Sequence, residues 1–222
     1  MGYLDVHSHI LCCVDDGSRS LAETGDMLKA AKVAGIVEII ATPHVYSLCA
    51  DLAKIQESFR QVGAEYADRG IMLRQGYECN YRVLLEGEAE QLFSYCIEGT
   101  KTLLLEPPNR FLPESWENHI LNLQKAGLDV VIAHPERCIA FQEDISQAER
   151  MREIGCELQL SAGSLFEGLL SKTRKCAMAL LKAGMVGYIA SDAHCARDYK
   201  EYEKAMRQYG LFIRTGRLLQ AI

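Results

Sequence analysis

Residues 126–137, AGLDVVIAHPER, and residues 183–194, AGMVGYIASDAH, share the pattern that decides the fold class. Each stretch begins with an alanine–glycine pair that can end a helix, continues through an apolar run, and finishes in polar residues. A short apolar run between a helix end and a polar tip is typical of a buried strand in a parallel sheet. The two stretches therefore predict strand–helix units that point the same way.

The same alternation runs along the whole chain and predicts an α/β fold. Residues 20–35, SLAETGDMLKAAKVAG, carry apolar side chains at helical spacing, and Gly35 can end that helix. Seven strands are predicted: Tyr3–Val6, Glu38–Thr42, Ile71–Glu78, Thr102–Glu106, Asp129–Ala133, Glu157–Ser161 and Gly187–Ser191. Seven units can close into a barrel or form an open doubly wound sheet, and periodicity alone does not separate these. Because no linker-like segment interrupts the sequence, we expect a single domain over residues 1–222.

The composition excludes several classes of protein. Hydrophobic residues make up 49% of the chain, which is enough for a buried core. The formal charge is −6, from 30 acidic against 24 basic residues, and no basic run could follow a phosphate backbone, so nucleic acid is not an expected partner. No stretch approaches the ~18 apolar residues of a membrane span, and no leader segment opens the sequence. We therefore expect a cytoplasmic protein without membrane insertion.

Most of the nine cysteines are expected to be buried thiols, and the set indicates neither a disulfide framework nor a zinc ribbon. Their number is odd, the chain is not small, and no Cys-x-x-Cys pair occurs. Any bound metal must therefore take its ligands from histidine and carboxylate side chains.

Metal-binding side chains gather just beyond the predicted strands, where parallel barrels have their active sites. The set comprises His7, His9, His44, Glu78, Glu106, His134, Asp192 and His194, and only the sixth predicted strand contributes none. A single histidine at a strand end is more often packed and hydrogen-bonded than bound to a metal. Many unpaired charges in one place would each cost several kcal/mol, so the convergent set favours metal ions. The sixth histidine, His119, lies within a predicted helix and is expected to have a packing or surface role.

Two aspartates and one arginine near these ligands have open assignments. Asp15 and Asp16, in the segment VDDGS, are each either a ligand or part of an Asp-Gly turn that caps a helix. Arg137 follows His134 by three residues, and it is either a fork that holds phosphate or one half of a surface salt bridge.

The donor set indicates both the metal and the reaction. Mixed nitrogen and oxygen ligands suit manganese, iron or zinc better than magnesium or calcium. Eight or nine ligands are too many for one ion, so two or three ions are expected. Such a group of ions can activate a water and hold the oxygens of an in-line displacement, which suits hydrolysis of a phosphate ester.

The segments DVHSHIL, DDGS, ATPH, GYE, IAHPER and SDAH, in this order and spacing, resemble the polymerase and histidinol phosphatase (PHP) family. More closely, they resemble its bacterial manganese-dependent tyrosine phosphatases of capsular and exopolysaccharide operons. The resemblance implies a distorted seven-stranded (β/α)7 TIM-like barrel and a site for two or three divalent ions, manganese in preference to iron or zinc. It implies catalytic roles for Arg137, Asp192 and His194. It also implies metal ligation by His7, His9, Asp16, His44, Glu78, Glu106, His134, Asp192 and His194.

The resemblance favours a phosphotyrosine protein as substrate, such as the tail of a bacterial tyrosine kinase, and three other assignments stay open. One is a phosphatase of a small phosphate ester such as histidinol phosphate. Another is a metal-bound barrel that has lost catalysis and acts as a binding or regulatory module. The third uses Cys13 and Arg19, which have the Cys-x5-Arg spacing of cysteine-dependent phosphatases, although the intervening Asp15 and Asp16 would repel thiolate and phosphate. Each assignment is compatible with an oligomer.

Overall fold

The structure, a computed structural model, describes residues 2–212, so the single domain expected over residues 1–222 extends beyond them at both ends. The described strands are β1 Tyr3–Ser8, β2 Ile36–Ala41, β3 His44–Val45, β4 Met72–Gln75, β5 Glu78–Asn80, β6 Thr102–Glu106, β7 Asp129–Ala133, β8 Glu157–Ser161 and β9 Val186–Ala190. The α-helices are α1 Leu21–Val33, α2 Leu52–Tyr66, α3 Tyr81–Glu86, α4 Ala89–Leu92, α5 Trp116–Lys125, α6 Ile139–Glu143, α7 Ser146–Glu153, α8 Lys172–Lys182 and α9 Asp198–Tyr209. Short 3-10 helices occupy Ala67–Arg69, Phe93–Tyr95, Pro135–Arg137, Gly163–Phe166 and Gly210–Phe212. None of the helices in this part of the chain is both long enough and apolar enough to cross a membrane.

The strands form two parallel sheets. One sheet has three strands in the order β1-β2-β4, and the other has six strands in the order β3-β5-β6-β7-β8-β9. Every neighbouring pair is parallel. The predicted α/β class with parallel strands is therefore confirmed.

The seven-stranded barrel is not confirmed, because the two sheets do not close into one ring within residues 2–212. Between β1 and β9 the structure has one isolated bridge, from Ser8 to Ala193. The prediction of one strand over Ile71–Glu78 is wrong, since that segment forms both β4 and β5, and β3 has no counterpart among the predicted strands.

Two residues explain why the strands break where periodicity does not predict it. Pro43 separates β2 from β3 and has no amide hydrogen to donate to a ladder. Gly76 separates β4 from β5, and a Cβ there would lie 2.9 Å from Ile40 Cγ2, too close for any other residue. At both points the chain passes from the three-stranded sheet to the six-stranded sheet.

Alternating side chains along the strands divide the core into two clusters. In β7, Val130 and Ile132 belong to the larger cluster, which includes side chains from the helices, whereas Val131 and Ala133 belong to the smaller one. The smaller cluster also contains Val6 of β1, so it joins the two sheets. This shared core fixes the two sets of strand ends relative to each other.

Glycines end the helices where the sequence predicts them. Gly35 follows α1 with φ +83°, Gly127 follows α5 with φ +96°, and Gly184 follows α8 with φ +66°. Glycine adopts these left-handed values without the strain that a Cβ would cause. The chain then enters β2, β7 and β9, whose parallel directions bring their polar tips to the same edge.

Candidate metal centre

The structure brings all nine expected metal ligands together, although His44 and Glu78 are the first residues of β3 and β5 rather than residues at strand ends. Their donor atoms form four overlapping groups, and within each group the atoms lie within 4.8 Å of one another. The groups are His9, Asp16, His44 and His194; His7, His9 and Asp192; His7, Glu78 and His134; and His44, Glu78 and Glu106. Because the groups share members, they form one continuous cluster.

The buried side chains of His7, His9, Glu78 and Asp192 form the inner part of this cluster, here called the inner cradle. The Nε2 atoms of His7 and His9 are 3.1 Å apart. Glu78 Oε2 lies 3.2 and 3.3 Å from these two nitrogens, and Asp192 Oδ1 lies 3.5 and 3.4 Å from them. Donor atoms that share a cation at about 2.1 Å are about 3.0 to 3.4 Å apart. The four atoms are therefore spaced like ligands of one ion.

Hydrogen bonds on the outer side of each ring determine which nitrogen faces the inner cradle. His7 Nδ1 lies 3.0 Å from Gln159 Oε1, and His9 Nδ1 lies 2.7 Å from Asp15 Oδ2. Both partner atoms are acceptors, so each Nδ1 carries a proton and each neutral ring directs an Nε2 lone pair inward. With both rings neutral, two lone pairs at 3.1 Å beside two carboxylates repel unless a positive charge, a metal ion or an added proton, lies between them. The inner cradle therefore fits a metal ion.

Glu78 connects the inner cradle to the rest of the cluster. Its Oε1 lies 2.6 Å from His134 Nε2, and its Oε2 lies 2.9 Å from His44 Nδ1. Despite that short distance, neither Glu78 Oε2 nor His44 Nδ1 has hydrogen-bond geometry to any partner among the described residues. Buried polar atoms without partners are costly, and a second cation would satisfy both.

Asp16, His44 and His194 lie on the open side of the cluster. Asp16 Oδ1 is 3.5 Å from His44 Nε2 and 3.4 Å from His194 Nε2. His194 Nδ1 donates to the carbonyl oxygen of Asp192 at 2.9 Å, which leaves Nε2 as an acceptor. The Asp16 side chain is 66% exposed, so this side can meet both solvent and substrate.

The structure separates the two aspartates whose assignments the sequence leaves open. Asp15 belongs to none of the ligand groups and instead accepts hydrogen bonds from His9 Nδ1 and from the amides of His44 and Gly17. Asp16 faces the other donors. A Cβ on Gly17 would lie 2.0 Å from the carbonyl oxygen of His9, so glycine is required for this loop to approach β1. The segment DDG thus supplies an orienting carboxylate, a candidate ligand and a close backbone contact.

Burial and neighbouring charges shift the pKa values of the inner cradle in opposite directions. Burial alone would raise the pKa of Glu78, but the charges of His7 and His134 outweigh it and hold that pKa well below its usual range. Burial alone would lower the pKa of His9, but hydrogen bonds to carboxylates, first that of Asp15, raise it well above its usual value. The raised pKa favours an additional proton on His9 in the metal-free site, and a metal that binds Nε2 has to displace that proton.

Two candidate ligands have strained backbone conformations. His134 has φ +29° and Asp192 has φ +50°, values that cost about 1 to 3 kcal/mol in residues with a Cβ. The turn at Asp192 is held by its amide, which donates to the carbonyl oxygen of His7 at 2.9 Å. The neighbouring Ser191 donates from its amide and hydroxyl to the buried carboxylate of Asp5 at 2.8 and 2.5 Å. These contacts hold the Asp192 side chain against the cluster.

Arg137 lies at the edge of the inner cradle. Its Nη2 is 2.6 Å from Asp192 Oδ2 and donates to Ser161 Oγ at 2.9 Å. The side chain is 43% exposed, whereas that of Asp192 is 1% exposed. The surface salt bridge considered from the sequence is therefore not what the structure has, and part of the guanidinium fork is open to solvent beside the candidate ligands.

The sixth predicted strand, β8, gives none of the grouped donors but carries two side chains that support the site. Gln159 orients His7, and Ser161 accepts a hydrogen bond from Arg137. Neither Gln159 nor Ser161 is recognisable as a metal ligand in the sequence, because both act through hydrogen bonds. Their signal is the alternation of polar and apolar residues in the segment ELQLS, which places Gln159 and Ser161 on one face of the strand. Asp5, two residues before His7 on β1, was missed although the same alternation indicates it.

Cys13 and Arg19 do not form the phosphate-binding loop of a cysteine-dependent phosphatase. Cys13 Sγ donates to the carbonyl oxygen of Arg19 at 3.0 Å, while the Arg19 guanidinium is 84% exposed and lies 3.1 Å from the Glu23 carboxylate. An arginine already paired with a carboxylate does not provide the anion site that such a thiolate needs. His119 lies 2.7 Å from the carbonyl oxygen of Ser115 within its own helix, which agrees with a packing role.

Known proteins resemble this chain over most of its length. Residues 3–208 match the family described as capsular polysaccharide synthesis, CpsB/CapC. The tyrosine-protein phosphatase YwqE of Bacillus subtilis strain 168 is 34% identical over 202 residues, covering 86% of this chain and 77% of YwqE. The tyrosine-protein phosphatase CpsB of Streptococcus pneumoniae is 26% identical over 201 residues, covering 86% of this chain and 82% of CpsB.

Solved structures show the same relationship. A structure from a study of YwqE from Bacillus subtilis and CpsB from Streptococcus pneumoniae, described there as metal-dependent tyrosine phosphatases, superposes with a TM-score of 0.80 and 29% identity. It covers 94% of this chain and 88% of that chain. The hisK protein of Listeria monocytogenes superposes with a TM-score of 0.55 and 16% identity over 88% of this chain and 97% of its own, a likeness of fold alone.

Proposed function

Because the chain belongs to the CpsB/CapC family of capsular polysaccharide synthesis, we propose that it is a metal-dependent phosphatase that hydrolyses phosphotyrosine on a protein of capsule or exopolysaccharide biosynthesis. The inner cradle carries this proposal. His7 and His9 direct lone pairs toward each other and toward two buried carboxylates, at the spacing of metal ligands. With both rings neutral this arrangement is repulsive, and a metal ion would satisfy all four side chains.

The nine grouped donors would hold two or three divalent transition-metal ions. Mixed imidazole and carboxylate donors support manganese, iron or zinc, and we propose manganese as the resident metal. When bound, the ions activate a water and neutralise phosphate oxygens. The protein supports them from outside the cluster, since Asp15 and Gln159 keep the two inner imidazoles in the tautomer that can bind metal.

Arg137 binds and orients the phosphate group of the substrate. Asp192 and Ser161 hold one nitrogen of its fork, so the remaining N–H groups are positioned for phosphate oxygens at the open edge of the cluster. Its fixed positive charge stabilises the negative charge that grows as the ester bond breaks. His194, which is 32% exposed, presents Nε2 on the side from which a phosphate enters.

A phosphotyrosine protein is the substrate that the relatives support. YwqE and CpsB bear the name tyrosine-protein phosphatase, whereas the likeness to hisK concerns the fold alone and gives no support to a small phosphate ester. The complete donor set favours catalysis over a purely regulatory role.

The partner is the tyrosine-phosphorylated tail of a bacterial kinase. The proposal treats residues 1–222 as one domain, and the nine free cysteines of the chain suit the reducing cytoplasm.

An activity screen of metal-reconstituted protein tests this function. With manganese, kcat/KM for a phosphotyrosine peptide should exceed that for histidinol phosphate at least ~10-fold, because the family relatives act on protein phosphotyrosine. A chelator should abolish the activity, and added manganese should restore it. Activity that survives chelation would contradict the metal mechanism. A preference for histidinol phosphate, or metal-loaded protein that is inactive on both substrates, would contradict the proposed substrate or activity.

A further inference from the structure

A cavity of about 470 Å³ lies beside the candidate metal centre. Its walls come from three chain segments, Tyr46, residues 80–82 and residues 107–111. Each segment follows a candidate ligand by four residues or fewer, since His44, Glu78 and Glu106 precede them. The cavity volume falls in the range of pockets that bind whole ligands and exceeds what a phosphate group needs.

Direct contacts make the cavity continuous with the cluster of donors. The ring of Tyr46 stacks on His44 with centroids 5.0 Å apart and an interplanar angle of 24°. On the other side, Asn80 Nδ2 donates to Glu106 Oε2 at 2.6 Å. A substrate whose phosphate lies at the metal centre therefore extends naturally into the cavity.

The charge of the cavity differs from that of the rest of the molecule. Arg82 and Arg110 line it, both are exposed, and neither forms an ion pair within residues 2–212. No carboxylate lines the cavity, although the chain as a whole has a formal charge of −6. Because Arg137 serves the phosphate itself, these two unpaired cations are available to a second anionic group on the same substrate.

The cavity also exposes aromatic surface. The Tyr46 side chain is 53% exposed and that of Phe111 is 72% exposed, and both line the cavity. Exposed aromatic rings beside unpaired arginines are the composition of a surface that binds peptide, with apolar contact area and charge recognition together.

We propose that this cavity binds the polypeptide beside the phosphorylated tyrosine and that Arg82 and Arg110 select acidic side chains, aspartate or glutamate, in that flanking segment. The inference rests on the proposed phosphotyrosine phosphatase function and adds its sequence preference. The phosphate enters the metal centre, the rings of Tyr46 and Phe111 contact the flanking residues, and the two arginines pair with their carboxylates.

Matched peptides and variants test the proposal. Two phosphotyrosine peptides are compared that differ only in flanking aspartate and glutamate against asparagine and glutamine. The parent protein should have a ~10-fold higher kcat/KM for the acidic peptide, mainly through a lower KM, and the advantage should shrink at high salt. In R82Q/R110Q the kcat/KM advantage of the acidic peptide should fall below ~2-fold, while kcat on p-nitrophenyl phosphate stays within ~2-fold of the parent value.

The control is K125Q. Lys125 is an exposed cation at the end of α5, before β7 begins, and so lies at the end of the fold opposite to the site. This variant should keep the full preference. Equal kcat/KM values of the parent for the two peptides would overturn the assignment of the cavity. An unchanged preference of R82Q/R110Q for the acidic peptide would overturn it as well.

Binding of non-hydrolysable phosphonate peptides separates this inference from the proposed function. The parent should bind the acidic phosphonate peptide more tightly than the neutral one in fluorescence anisotropy, and R82Q/R110Q should bind both alike. If the protein shows this binding pattern but turns over no phosphotyrosine substrate, the phosphatase assignment is refuted and the proposed role of the cavity in peptide binding stands. If the protein turns over both peptides equally and binds them equally, the phosphatase assignment stands and the proposed acidic preference of the cavity is refuted.

Discussion

The outer nitrogen of an imidazole determines what its inner nitrogen can do. His9 donates from Nδ1 to Asp15, and His7 donates from Nδ1 to Gln159, so both rings keep Nε2 free for a cation. Neither Asp15 nor Gln159 touches the space that an ion would fill, yet each controls a ligand. The chemistry of the site therefore depends on residues one layer behind the donors.

The first prediction compares H9A with C13S. Removal of His9 takes one donor from the inner cradle and leaves Glu78 and Asp192 undercompensated, so hydrolysis should fall at least ~100-fold together with metal content. Cys13 lies on the loop and bonds the carbonyl oxygen of Arg19, so C13S should keep most of its activity. Kinetics and elemental analysis of both variants provide the measurement. A dead C13S with normal metal content, beside an active H9A, would favour a cysteine nucleophile instead.

The second prediction concerns Arg137. R137A should lower kcat/KM ~100-fold or more, about 2.7 kcal/mol of transition-state stabilisation, because a charge aimed at the phosphate is lost. Metal content should stay that of the parent, since Arg137 donates no electron pair to a metal. R207A is the matched control, because Arg207 is 76% exposed and pairs with Glu203 on α9. Activity of R137A within threefold of the parent would remove Arg137 from the phosphate site.

The sequence predicts ligands better than it predicts the residues that support them. Imidazoles and carboxylates at strand ends are recognisable because metal chemistry limits the residue types, and the structure brings all nine predicted donors together. Asp15 and Asp16 are indistinguishable by type and position, and only the fold shows that one faces His9 Nδ1 and the other faces the donors. The alternation in β8 places Ser161 on the face of Gln159, but its contact with Arg137, 24 residues away, follows only from the fold.

At the scale of the element, the loop between β1 and α1 depends on a close backbone approach. Ser18 donates from its amide to the carbonyl oxygen of His9 at 3.1 Å, and Cys13 donates to that of Ser18 at 2.8 Å. The loop folds tightly against β1, and Gly17 is the residue that meets His9. The positions of Asp15 and Asp16 follow from this contact.

The third prediction tests that contact. In G17A the new Cβ would clash with His9 backbone and side-chain atoms, at 2.0 and 2.5 Å, so the loop must shift and carry both aspartates with it. We expect a loss of ~1 to 3 kcal/mol of stability and weaker metal binding, measured by thermal unfolding and metal titration. G168A is the control, since a Cβ there meets nothing within 4 Å. Parent-like metal affinity in G17A would show that the loop tolerates displacement.

The elements themselves differ in how far the sequence predicts them. Strands β6, β7 and β8 match their predicted bounds because each is a short segment whose apolar side chains are buried in the six-stranded sheet. The breaks at Pro43 and Gly76 were missed because a periodic pattern contains no information about which sheet a strand joins. Periodicity also cannot predict whether the sheets close, because closure depends on long-range pairing between β1 and β9.

At the scale of the whole molecule, folding and metal binding are coupled. Buried carboxylates and imidazoles converge from most strands, so the metal-free protein holds many titratable groups close together in its interior. Ions that bind the native state and not the unfolded chain stabilise it by about 2.7 kcal/mol at a hundredfold excess over Kd.

The fourth prediction is that metal removal lowers stability and that metal uptake releases protons. Elemental analysis should find two or three ions per chain, and chelation should lower Tm by on the order of 10 °C. The pKa of His9 is raised in the metal-free site, so its additional proton is bound below that pKa and must leave when metal enters. Metal affinity should therefore increase as pH rises through that pKa, and a pH-indicator dye should record proton release on metal addition at pH 7. Fewer than one ion per chain, or uptake without proton release, would contradict the coupled site.

The contact between Asp5 and Ser191 joins positions 186 residues apart, and the inner cradle needs donors from both sides of that contact. During synthesis the ribosome releases β1 long before β9, so a nascent chain can present His7 and His9 but not Asp192. Loading of the inner cradle therefore has to follow completion of β9, and a product truncated before β9 has no intact inner cradle. In the cell, an ion bound in the inner cradle would mark chains whose synthesis has passed β9.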